Sequence, residues 1–458
     1  MKVTTKPSHQ TPYTTLSHRW GKFEYVRLTK NNSDSLHQSI AWDAIPQTFR
    51  DAIWLTRQLG VDYIWIDSLC IVQNDAEDWS RESVKMQTVY GNSYLNIAAS
   101  SGTDSRSPLF NLSPVPQQYP AYPVPGSQPI FIRQQPYRTH EDFGSNYVPA
   151  KHRWPLLDRG WVLQERLLSP RVVYFDTEEL KWECMKTADC QCGAILSISN
   201  FKANYSGSVF RNERPLPFAW MRIAEMYSRL SLTFSKDRIV ALSGIAKQAS
   251  QRGRAGRYLA GVWEQDLAHQ LCWEVYSNHK KPAEYVAPSW SWLSIVGGIE
   301  NPNRMDYSKH SDIDVEITES AITTADGTDQ MGPVVSGYLK FNGRCVEMYA
   351  ELVDSGSQKT PPTYALKTTG ESVYIYGPKV RMDHIMSSEE AGKVNQVLVV
   401  FWGYMCHGRC NFLVLKPVPG QGRTYERFGI FWYNRRHQTE KLNKLLGCCE
   451  LQKDITFI

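Results

Sequence analysis

No run of apolar residues in this chain approaches the ~18 needed to cross a bilayer. The opening stretch MKVTTKPSHQTPYTTLS has no apolar core of signal-peptide length. Both features predict a cytoplasmic protein with no membrane span. A glycine-rich phosphate loop, a sustained heptad pattern and internal repeats are also missing, which excludes P-loop, coiled-coil and solenoid classes. Charge of one sign is scarce. The 51 basic and 46 acidic residues leave a formal +5, too little over 458 residues to argue for a nucleic-acid partner. Ten cysteines are present, but their spacing fits neither a zinc finger nor a small-domain disulfide framework. In a cytoplasmic chain they are expected to be reduced and mostly buried. The segment CMKTADCQC (184–192) gathers three thiols without a fourth ligand nearby, so no metal is expected.

What remains is ordinary for a globular chain: 42% hydrophobic and 21% charged residues. Fifteen tryptophans promise many aromatic anchors. The length predicts two or three domains.

Hydrophobic periodicity organises the first part. YTTLS (13–17) alternates as a strand, and HRWGK turns after it. PQTFRDAIWLTRQLG (46–60) predicts a helix, with Pro46 in its first turn and Gly60 at its end. DYIWIDSLCIV (62–72) predicts a buried strand containing Asp67, and WSRESVKMQTVY (79–90) a second helix. On that helix Trp79, Met86, Val89 and Tyr90 face one way, with Glu82 among them. YLNIAASS (94–101) predicts a third strand. A proline-rich insertion over about 104–150 follows, and then RGWVLQERLLSPRVVYF (159–175) supplies a helix capped by Asp158 and a fourth strand. Alternating strands and helices predict an α/β fold with a parallel sheet and flanking helices. Beyond the cysteines, helices are expected at 216–230, 235–250 and 258–277, and from APSWSW (287–292) onward the pattern is mostly antiparallel β. The expected domains are 1–180, a helical connecting region 181–285 and a β-rich domain 286–458.

Three motifs resemble the heterokaryon-incompatibility (HET) domain of filamentous fungi. They are YTTLSHRWG (13–21), the run from LGVDYIWIDSLCIVQ (59–73) through DWSRESVKMQTVYGNS to LNIAASSG (95–102), and LDRGWVLQERLLSPRVVYF (157–175). SKDRIVALSGIA (235–246), YLAGVWEQDL (258–267) and APSWSW are similar to segments that commonly follow this domain. Many members carry a long segment before the first motif, where this sequence has twelve residues, so a regulatory region is expected to be absent. The HET domain is in turn distantly similar to TIR domains, which implies a TIR- or flavodoxin-like sheet. LSHRWG (16–21), the aspartate ending YIWID (Asp67) and WVLQE (161–165) carry that second likeness. It implies Glu165 as the catalytic residue of NAD cleavage, with no cofactor required and NAD or a related nucleotide as substrate. Self-association, an effector role in programmed cell death or innate immunity, and a protein partner in incompatibility signalling are implied as well.

The residue chemistry allows this. Cleaving the nicotinamide–ribose bond develops positive charge on the sugar, and the nicotinamide leaves neutral. One preorganised carboxylate can then stabilise the cation. Trp161 and Glu165, four apart, share a helix face, and ligands of open parallel sheets bind beyond the strands' carboxyl ends. Ser17, His18, Arg19 and Trp20 follow strand one, while Asp67 and Ser68 end strand two. Arg19 could meet a pyrophosphate, Trp20 could stack on a base, and Glu82 could orient the ribose. Each residue also has a structural reading: Glu165 in an ion pair with Arg159 or Arg166, Glu82 partnering an arginine, Asp67 capping a turn, and the tryptophans as core anchors. On that alternative the chain is a non-catalytic, self-associating recognition module.

Overall fold

The computed structural model describes residues 1–4, 11–110, 121–122, 125–126, 130–131, 154–177, 179–191, 193, 201–251, 255–275, 279–301, 312–354, 363–368, 374–375, 381–383, 396–405 and 408–458. Most of the proline-rich insertion, Cys192 and most of 372–380 lie outside these residues. The chain divides into two compact units, 1–213 with 230–232, and 214–229 with 233–458.

The first unit is α/β. Strands β1 (Tyr13–Ser17), β2 (Tyr63–Ile66), β3 (Leu95–Ala98) and β4 (Arg171–Phe175) form a parallel core in the order β2-β1-β3-β4. Two further strands, β5 (Leu180–Cys184) and β6 (Ala188–Cys190), extend it antiparallel from β4, so the six-stranded sheet is mixed and not purely parallel. The helices are α1 (Ser33–Gln38), α2 (Gln47–Gln58), the single turn α3 (Asp67–Cys70), α4 (Ala76–Gly91), α5 (Gly160–Leu168) and α6 (Phe201–Ser206).

Strand alternation decides what each face meets. Leu16, Ile66, Ile97 and Phe175 point to one side and pack with Phe49, Ala52 and Ile53 of α2. On the other side Ala98, Val172 and Tyr174 pack with Val162 of α5, Trp154 and Leu156. Thr15 and Asn96 are register partners, as are Ser17 and Ala98. Thr15, Ser17 and Asn96 therefore belong to the face that α5 covers. A polar row is thus buried beneath a helix that carries its own carboxylate.

Two expectations need correction here. The strand read over 62–72 stops at Ile66. Asp67 accepts a hydrogen bond from the next backbone N–H, that of Ser68 (2.6 Å), which starts the α3 turn in place of further strand. Asp158 does not cap α5: Arg159 stands at the N-cap without a side-chain cap bond, and Asp158 accepts from Ser231 Oγ (3.2 Å).

The second unit opens with α7 (Leu216–Ser228) and α8 (Asp237–Ser250). The helix expected over 258–277 is absent from the described part of that range. Short strands at Tyr258–Leu259, Val262–Trp263 and Glu274–Val275 and one turn at Leu267–Gln270 replace it. Left-handed backbone at Ala260, Gly261 and Asp266 breaks the helix that the leucine spacing would favour.

The rest is mostly antiparallel, as its alternation predicts. Strands β7 (Glu316–Thr324), β8 (Val334–Asp354), β9 (Gln396–Met405), β10 (Arg409–Pro417), β11 (Thr424–Asn434) and β12 (Glu450–Phe457) form its body, with helix α9 (Thr439–Gly447) before the last strand. The long β8 pairs antiparallel with β7, β9 and β12. Val399, Phe401, Phe412, Val414, Phe431, Leu442 and Leu445 fill its core.

Candidate functional site

The polar row on the covered face of the first unit forms a directed chain of hydrogen bonds. Thr15 Oγ1 donates to Asn96 Oδ1 (3.0 Å), Asn96 Nδ2 donates to Ser17 Oγ (3.0 Å), and Ser17 Oγ donates to Glu165 Oε2. Each hydroxyl or amide hands its proton side forward, and the chain ends on the one group able to carry negative charge. The Tyr90 phenol, fully buried on α4, lies against the same carboxylate.

Glu165 is only 6% exposed. Burial raises its pKa from the ordinary carboxyl value to about 7, opposed by the Ser17 hydrogen bond and the charge of Arg159 and helped by the charge of Asp67. Removal from water thus outweighs these two opposing contacts and the Tyr90 hydrogen bond together. The result is a carboxyl group poised between its two protonation states at neutral pH, which is uncommon outside functional sites.

A second cluster lies at the carboxyl ends of β1 and β2. Trp20 Nε1 donates to Asp67 Oδ2 (2.9 Å), and Asp67 Oδ1 is 3.9 Å from His18 Nδ1. His18 is buried edge-on to Phe49, and burial lowers its pKa to about 4, so its ring is neutral at physiological pH. Among the described residues neither ring nitrogen has a hydrogen-bond partner. Buried polar atoms are nearly always satisfied, by protein, water or ligand. Arg159 reaches over from the start of α5 and donates to the His18 carbonyl (2.6 Å), tying the helix to the β1 turn.

The residues singled out by sequence separate as follows. Ser17 contacts Glu165 directly, and Trp20, His18 and Asp67 form the adjoining cluster. Ser68 is buried behind Asp67, and the Arg19 side chain faces solvent. Trp161 is half-buried and meets Trp79 of α4 edge to face, with ring centres 6.2 Å apart. Glu82 is engaged along its own helix by Lys85 (2.8 Å) and Arg81 (3.7 Å). Neither arginine near Glu165 in sequence forms the ion pair considered for it. Arg159 binds a carbonyl, and Arg166 is buried in a pair with Glu183 (2.5 Å).

Sequence reasoning missed Asn96, Tyr90 and Arg159 as parts of the site. The signal for Asn96 was an amide in the middle of the otherwise apolar YLNIAA, where only a partnered side chain is tolerated. Among the described residues no group of three or more His, Cys, Asp or Glu could hold a metal ion, and no helix is long and apolar enough to cross a membrane.

Fold and site together define an α/β domain with an acidic and aromatic cluster at the carboxyl end of a parallel core. Residues 13–165, from the first residue of β1 to Glu165 itself, match the family model described as Heterokaryon incompatibility protein (HET). The chain therefore carries a HET domain, which associates it with a function related to heterokaryon incompatibility. No curated protein and no solved structure matches the chain.

Proposed function

We propose that the HET domain of this chain is a TIR-like hydrolase that cleaves the nicotinamide–ribose bond of NAD or a related nucleotide, with Glu165 as its catalytic carboxylate. One observation carries the reading: a carboxyl group with a pKa near 7 at the carboxyl end of a parallel core, preorganised by the Thr15–Asn96–Ser17 chain. The strand order β2-β1-β3-β4 and the WVLQE spacing support the TIR likeness. In the reaction the C–N bond to ribose breaks, its electron pair leaves with neutral nicotinamide, and water adds to the sugar cation and loses a proton. An approaching cation favours the ionised form of Glu165, so the raised pKa falls as the substrate docks. Ionised Glu165 then faces the charge as it develops, an arrangement worth ~3–4 kcal/mol of barrier in comparable sites. His18 offers ring nitrogens to the ligand, Trp20 and Trp161 offer aromatic walls, and Arg19 offers an exposed cation for a pyrophosphate. Glu82 is the further carboxylate proposed to orient the ribose.

The test is nicotinamide release from NAD by the purified chain, beside Glu165→Ala and Glu82→Ala. Loss of turnover in Glu165→Ala with circular dichroism unchanged is the expected result, and turnover that survives it removes the residue from the mechanism. A second reading draws on the 6% exposure of Glu165. On that reading the hydrogen-bond chain is purely structural, and the domain is a self-associating module in incompatibility signalling that meets a protein partner. No turnover in any assembly state, with cell death still induced, favours it.

A further inference from the structure

The second unit contains a cavity of about 500 Å³, within the size range of small-molecule sites. It lies beside the start of β8. Pairing between β8 and β12 begins at Leu339, opposite Phe457, and the Val335–Gly337 stretch ahead of it lines the cavity. Part of its wall is apolar. Tyr285 and Val335 are 56% and 57% exposed, high for residues of their size, and Ile295 lies buried behind them.

One polar group among the lining residues is not accounted for by the fold. Arg427 is buried, and each of its three guanidinium nitrogens donates: Nε to Asp383 Oδ2 (2.5 Å), Nη1 to the Leu271 carbonyl (2.6 Å) and Nη2 to the Trp273 carbonyl (2.5 Å). The Trp273 ring lies 3.7 Å from its central carbon. The arginine thus takes one oxygen of Asp383 and leaves the other. Asp383 is buried, and its Oδ1 has no hydrogen-bond partner among the described residues. An acceptor left unsatisfied in the interior costs its full desolvation and calls for a donor. The rim carries both signs, and Lys281 and His279 also act on Asp383. Glu284 and Glu426 line the cavity with Lys281, which lies 3.9 Å from Glu426. With Arg427 already matched inside, the cavity presents more carboxylate than cation.

We propose that this cavity is a binding site for a small ligand that carries an ammonium group on an apolar or aromatic body, the ammonium donating to Asp383 Oδ1 and the body resting on Tyr285 and Val335. The site is independent of Glu165 and of the reaction proposed for the HET domain.

Phenethylamine, an aromatic primary amine, is the probe, titrated into the full chain by calorimetry. Its counterpart is 3-phenylpropanoate, with the same ring and the opposite charge. Saturable binding of the amine at one site per chain, and none of the acid, is the expected result. Asp383→Asn keeps the shape but removes the charge and weakens the amine by about tenfold or more. Because Asp383 also neutralises Arg427, that variant could fail to fold. Tyr285→Ala, at an exposed position, tests the same site without touching the ion pair and is expected to weaken the amine several-fold with circular dichroism unchanged. Equal binding of amine and acid, amine binding unaffected by Tyr285→Ala, or no binding of the amine up to millimolar concentration overturns the proposal.

Discussion

At the scale of single residues, Glu165 makes the sharpest prediction, because its protonation bears on stability and on the activity proposed for it. Its pKa is about 7 in the folded chain, against an ordinary carboxyl value when unfolded. The folded state therefore holds its proton more tightly, and stability falls as pH rises from the ordinary carboxyl range through about 7. A shift of this size corresponds to on the order of 3 kcal/mol once the group is ionised. Glu165→Gln cannot ionise, so its midpoint in urea should exceed that of the parent at pH 8 and approach it near pH 5. Activity runs the other way. If the ionised carboxylate faces the sugar cation, kcat/KM rises with pH through about 7 and levels off above, while Glu165→Gln is inactive at every pH. A stabilised, inactive glutamine variant would mark a residue kept for chemistry. A glutamine variant less stable than the parent at pH 8 would mark a structural hydrogen bond instead. The spacing of Trp161 and Glu165 was legible in the sequence, but the partners of the carboxylate were not. Ser17 and Asn96 lie 148 and 79 positions from their contacts in this chain of hydrogen bonds, and only the parallel register brings them under α5.

At the scale of elements, α5 has to be held in register over the sheet for any of this to work. Arg166, one residue after Glu165, is buried in a pair with Glu183 of β5 (2.5 Å), and the Tyr174 hydroxyl donates to the same carboxylate (2.7 Å). Lys202 at the start of α6 donates to the Arg166 carbonyl (2.6 Å). Removing one partner of a buried pair leaves the other charged and unmatched, which costs ~3–5 kcal/mol. Arg166→Ala should therefore lower unfolding free energy by about that amount in denaturant titrations. Arg166→Ala with the double change Arg166→Met/Glu183→Leu should show the asymmetry: the double variant recovers much of the loss. If single and double variants unfold alike, the pair does not hold the helix. The same pair explains why β5 was not legible. In LKWEC the buried positions are Lys181 and Glu183, and the alternation that normally marks a strand is inverted by paired charges. The parallel strands were legible because β-branched and apolar residues dominate them, even though Thr15, Ser17 and Asn96 are buried polar positions. The false helix over 258–277 arose because leucine spacing carries no information about the left-handed turns at Ala260, Gly261 and Asp266.

At the scale of the whole molecule, composition and periodicity sufficed for an α/β unit followed by a mostly antiparallel one, since both depend on local patterns. What a single chain can do with its site depends on access, which no local pattern encodes. Glu165 is nearly closed to solvent, and a nucleotide can reach it only after its surroundings rearrange. A rearrangement of this kind is a population shift, and whatever binds the open form increases it. On the function proposed above, self-association would supply that binding energy. Nicotinamide release per chain should then rise with protein concentration and flatten once assembly, followed by light scattering on the same samples, is complete. Charge-reversing an assembly surface should lower turnover at low concentration and leave the plateau unchanged, because more protein restores the open population. A rate per chain that stays constant while scattering shows monomer at one end of the range and oligomer at the other would place the opening within the single chain, with the HET domain active alone.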